Sequence, residues 1–154
     1  MRTWAALLLI GLTATGPYDV KLLPTAAVPG ASGAARLFFS ESPFGVSVTA
    51  DGHSNYDAKV TTAGLPDPST LGAFTTYVAW GVTPDLQHWT RVGTITKTGG
   101  TVGPLDLNKF ILVITAEASA TTATHAGPMV LHGTSPSGWL QNFMSHPLFR
   151  GMAQ

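Results

Sequence analysis

The side chains able to hold a metal gather late in the chain. Met129, His132, Met144, His146 and Met152 all fall within residues 127–154. Thioether and imidazole together suit copper. The spacing gives no ready-made pair, because no HxH, HxxxH or HExxH occurs. In a strand, positions 129 and 132 point to opposite faces. A copper site would therefore need the fold to gather His132, Met144 and His146. The plain alternative is that the methionines fill gaps in a core and the histidines lie at the surface.

Carboxylates offer little to an enzyme. Glycoside hydrolysis needs two of them across a cleft, and Glu41 and Glu117 are the only glutamates. Several aspartates sit in turn contexts, at Asp51-Gly52, Pro66-Asp67-Pro68 and Pro84-Asp85, where turn chemistry accounts for them. Gly133-Thr134-Ser135-Pro136-Ser137 only superficially resembles a nucleophile elbow. With no cysteine, thiolate catalysis and Cys-based zinc sites are excluded. The expectation is a protein without catalytic residues and without a cofactor. Aromatic side chains are better placed to act, by stacking on a sugar. Tyr77 and Trp80 lie in a strand that reads as core. Trp89 shares one side of its strand with Arg91 and Lys97 and is the candidate stacking residue.

These residues need a scaffold, and composition bounds it. Charged residues are 10% of the chain, against roughly 25% in an average domain. The formal net charge is zero, so no basic surface exists to hold a phosphate backbone, and nucleic acid is excluded as a partner. Met1-Arg2-Thr3, the apolar run Trp4–Leu12 and the small residues Thr13–Gly16 have the anatomy of a secretory signal peptide over residues 1–16. The run is shorter than the roughly 20 residues of a membrane span. The expected location is periplasmic or secreted, without transmembrane anchoring. Residues 17–34, with three prolines and no clean period, read as an extended leader.

From Ala35 the pattern becomes that of strands. They are expected at Arg36–Ser40, Phe44–Ala50, Tyr56–Val60, Phe74–Val82, His88–Lys97, Phe110–Ala116 and Pro128–Gly133. Thr98-Gly99-Gly100-Thr101 reads as a hairpin turn. The fold class expected is all-β, an antiparallel, Ig-like β-sandwich of about seven strands over residues 35–134. Ser135-Pro136 then starts a short helix over residues 136–145. Trp139 and Phe143 are four apart, as are Leu140 and Met144, which puts both pairs on one face. The segment 135–154 is expected to pack on the sandwich as a lid. As a docking surface, it would use Trp139, Leu140, Phe143 and Phe149.

One further pattern runs from Leu71-Gly72 through Tyr77-Val78-Ala79-Trp80 and Val92-Gly93-Thr94-Ile95. It continues with Ile114-Thr115-Ala116-Glu117 and Gly127-Pro128-Met129-Val130-Leu131-His132-Gly133. Residues 70–134 thereby resemble the extracytoplasmic β-sandwich domain of RskA-type anti-sigma-K factors. The resemblance implies a non-enzymatic sandwich outside the cytoplasm, in a sensing or interaction role. The chain departs from that family in showing neither a sigma-binding region nor a membrane-spanning helix, and in having Ala118 where the family tends to have proline.

The function expected is thus a secreted or periplasmic, non-catalytic sandwich that binds a protein partner in the cell envelope or outside the cell. The alternative is a small-ligand module for copper or carbohydrate.

Overall fold

The computed structural model describes residues 18–41, 55–107 and 109–136. They form eight antiparallel strands and one 3-10 turn, Pro68–Leu71. The strands are β1 Asp19–Pro24, β2 Ser32–Phe39, β3 Tyr56–Ala63, β4 Thr76–Val82, β5 Trp89–Ile95, β6 Gly99–Leu105, β7 Ile111–Glu117 and β8 Met129–Thr134. The sheet order is β5-β4-β7-β8-β1-β2-β3-β6. β5 and β6 meet at a hairpin, so the sheet curls into a nearly closed barrel.

The all-β antiparallel expectation holds, with two corrections. Among the described residues the strands number eight, and the two expected layers are joined into one sheet by β1. Residues Asp19–Leu22 pair with β2, whereas Leu23 and Pro24 pair with β8. The supposed leader 17–34 therefore contains β1 and the start of β2. Its short period was masked because β1 is brief and changes neighbours halfway. The buried Val20 and Leu22 carry the only alternation it has. The expected strand Phe44–Ala50 and most of the expected helix 136–145 lie outside the described residues, as does the segment 1–16. Among the described residues no helix is long and apolar enough to cross a membrane.

Burial along the strands separates two parts of the wall. β2 and β3 alternate, with Ala35, Leu37, Ala58 and Val60 buried inside and their neighbours mostly turned to solvent. This is the pattern of a sheet with one wet face. β4 and β7 are buried on both faces from their second residue onward. Tyr77, Ala79, Leu112, Ile114 and Ala116 join the main core, while Val78, Trp80, Val82 and Val113 form a second cluster. A strand buried on both sides needs a cover outside, and the long β7–β8 loop supplies part of it.

The β5–β6 hairpin turns two residues earlier than expected. Thr96 and Gly99 exchange both backbone hydrogen bonds at 3.0 Å, leaving Lys97 and Thr98 as the turn. Gly99 and Gly100 belong to β6, opposite Thr61 and Val60 of β3. A Cβ on Gly99 would stand 2.1 Å from the Val60 carbonyl oxygen, at a φ of 120°. Glycine is therefore required there by a close strand approach rather than by the turn.

Candidate interaction surface

The loop over the second cluster is held by a buried chain of hydrogen bonds. Trp80 Nε1–H donates to Thr115 Oγ1 at 2.8 Å, and the Thr115 hydroxyl donates to Glu117 Oε1 at 2.6 Å. Glu117 is 2% exposed. Its carboxylate accepts the Ala126 amide at 3.1 Å and the Gly127 amide at 3.2 Å. A buried carboxylate requires such partners, since burial without them is costly. The effect is to pin the far end of the loop onto the β7 edge. Arg91 Nη2 donates to the Ala120 carbonyl, and the Thr75 hydroxyl donates to the Ala118 carbonyl at 2.9 Å. His125 lies flat on Trp89, with ring centroids 3.8 Å apart and planes at 26°. Both rings meet Trp80 edge-on.

This geometry locates the candidate stacking residue. Trp89 is half-buried, one ring face is against His125, and its Nε1–H donates to the Leu86 carbonyl at 3.2 Å. Its expected partners divide. Arg91 stays on the outer face, but a register shift opposite Ala79/Trp80 turns Ile95 into the core. Lys97 goes to the turn and pairs with Asp67 at 3.0 Å. Alternation counted through a bulge inverts the faces beyond it.

His132 is half-buried on β8, opposite Val113 and Leu23. Met144 and His146, proposed with it as copper ligands, lie outside the described residues, as do Trp139, Leu140, Phe143 and Phe149. Among the described residues no three His, Cys, Asp or Glu side chains are grouped to hold a metal.

The surface that the sequence reading missed lies at one end of the barrel. Tyr18, Phe38 and Phe39 are 46%, 44% and 52% exposed. With Leu37 they line a groove of about 240 Å³. Tyr18 meets Phe39 edge-on at 6.2 Å, and Phe39 leans on Tyr56 at 5.0 Å. The pair Arg36–Asp19, at 3.5 Å, places one charge of each sign beside the groove. Ser40, next along β2, has a buried hydroxyl oxygen without a hydrogen-bond partner. The signal for this site was present in Leu37-Phe38-Phe39, three large apolar residues in succession. One of them must leave the core face, but nothing in the run says whether something covers it.

A groove of about 310 Å³ lies at the opposite end, bounded by the Asp67–Lys97 pair and by Thr75, Thr76 and Thr96. Behind it Tyr77 donates its hydroxyl to the Pro66 carbonyl at 2.8 Å. Burial, and then the charge of Asp67, push the Tyr77 phenol above its ordinary value. Comparison of the chain with protein-family models, with curated proteins and with solved structures finds no match.

Proposed function

We propose that this protein is a non-catalytic, extracytoplasmic binding module whose aromatic end takes an apolar, uncharged segment of a protein partner. The single observation that carries this reading is the exposed Tyr18–Phe38–Phe39 groove. Large side chains left half open cost roughly 1 kcal/mol or more each relative to burial, and a contiguous apolar patch is characteristic of an association surface. An uncharged segment fits because the four lining residues are aromatic or aliphatic and none is charged, and the flanking Arg36 and Asp19 offset each other. The resemblance of residues 70–134 to an anti-sigma extracytoplasmic domain agrees with a role in interaction or sensing. A nearly closed β-barrel serves as a rigid platform for such a patch.

A photo-crosslinking residue placed at position 38 in the intact chain, expressed in its own envelope, tests this. The expected result is a discrete higher-mass adduct from position 38 and none from position 69, which is exposed at the opposite end. Adducts of equal yield from both positions, or from neither, would overturn the reading.

A further inference from the structure

We infer that the outer face of β1, β2 and β3 docks on the anionic headgroups of a lipid bilayer. The inference goes beyond the reading of the groove. It rests on other side chains and stands without a protein partner.

The placing of charge is the first ground. The whole chain has 8 lysines and arginines. Lys21, Arg36 and Lys59 all project from this one face, each between two buried neighbours on its strand. Pairing brings them together. Arg36 stands directly opposite Lys59. Lys21 stands opposite Ala34, two residues from Arg36 along β2. Side chains directly opposite lie about 5 Å apart at Cβ, and diagonal ones about 7–8 Å. A chain with few cations has gathered three of them on one patch.

The cost of that arrangement is the second ground. Like charges directly opposite destabilise a sheet. Arg36 is answered by Asp19 at 3.5 Å. Among the described residues no ion pair includes Lys21 or Lys59. Asp57, the other carboxylate of this face, is half-buried and lies against Gly103 of β6. An opposed Arg36–Lys59 pair is relieved by an anion from outside the fold.

Shape is the third ground and favours a bilayer over an acidic peptide. The three cations stand on the flat of the sheet and line neither groove. Phe38 lies two residues beyond Arg36 on the same side of β2 and is exposed. A bilayer surface takes such a ring beside the cations, because aromatic side chains settle at headgroup level. Each Lys or Arg beside anionic headgroups strengthens binding by about fivefold.

The test mixes the full chain with vesicles of phosphatidylglycerol and phosphatidylcholine in equal parts, in about 0.1 M salt, where the Debye length is about 10 Å. Sedimentation reads the bound fraction. Binding to phosphatidylcholine alone is expected to be at least tenfold weaker. Lys59→Glu should weaken binding to the mixed vesicles at least tenfold, since it changes the face by two charges. The same substitution turns the like-charge pair into an opposite one, so its urea midpoint should hold or rise. Loss of binding then does not come from loss of fold. Lys97→Glu makes the same change of net charge at the far end of the barrel and should leave binding within about twofold. Absent binding, or equal binding to the two kinds of vesicle, would overturn the inference. So would equal effects of the two substitutions. A lowered urea midpoint in Lys59→Glu would overturn it by showing that the fold itself answers the ammonium. Tighter binding to poly-glutamate than to the mixed vesicles, at matched charge, would overturn it by assigning the face to an acidic protein.

Discussion

The two ends of this barrel are built from different materials. At one end, the β3–β4, β5–β6 and β7–β8 connections are tied down by polar contacts. Thr62 donates to the Lys97 carbonyl, Tyr77 to Pro66, Thr75 to Ala118, and Glu117 gathers Ala126 and Gly127. At the other end, Tyr18, Phe38, Phe39 and Leu86 stand open, and the polar contacts among the described residues include the short Thr83–His88 turn, Ser135 with Phe110, Ser40 with Asn55, and the Arg36–Asp19 pair. The described residues of this second end offer exposed apolar side chains, and those suit a partner.

Substitutions at the tied end should have the largest effects. Trp80 is fully buried and donates to Thr115. Trp80→Ala should cost about 4 kcal/mol, read as a lowered urea midpoint with an unchanged slope. Glu117→Ala should cost about 3 kcal/mol, because it strands the Thr115 hydroxyl and the Ala126 and Gly127 amides. Those two amides should also exchange their hydrogens faster, while the amides of β2 and β3 do not. If both substitutions proved neutral, the β7–β8 loop would not be held as described, and the contrast between the ends would collapse.

A smaller effect is expected from Tyr77→Phe, about 1 kcal/mol for the lost bond to Pro66. Its pH dependence gives a second readout. The folded-state pKa of Tyr77 is raised by burial and by Asp67, so the folded protein holds this proton more tightly than the unfolded chain. The associated stability is complete below the ordinary tyrosine value of about 10 and is lost as pH rises above it. In Tyr77→Phe that alkaline loss should shrink. Thermal unfolding of both proteins at pH 8 to 11 checks it.

At the open end the effects on stability should nearly vanish. The Thr83 hydroxyl and then the Gln87 amide hold the Asp85 carboxyl below the usual carboxylate range. Their contribution is present above about pH 4 and lost as pH falls through the lowered value. Asp85 is exposed, so Asp85→Asn should show only a slight flattening of the acid limb in the same thermal series. Phe38→Ser should change stability by less than about 0.5 kcal/mol and yet abolish partner adducts from a crosslinker at position 39. A large loss of stability would mean that Phe38 belongs to the core after all, and the open end would not be open.

Periodicity and composition by themselves determined the fold class. Alternating runs gave β3 and much of β5, continuous apolar runs gave β4 and β7, and the lack of cysteine excluded disulfides and thiolate chemistry. These features are local, since whether a stretch favours extended backbone depends on its own side chains. What only the tertiary structure decided depends on distant neighbours. β1 is a strand because β2 and β8 flank it, and Gly99 is a glycine because β3 passes within touching distance. Glu117 is buried because a loop returns over it, and the bulge opposite Trp80 turns Ile95 inward and leaves Trp89 beneath His125. The open end was illegible for the same reason. Leu37-Phe38-Phe39 states that apolar side chains are present, but exposure is a property of what else arrives, and the strands that crowd the core leave two of these rings at the rim.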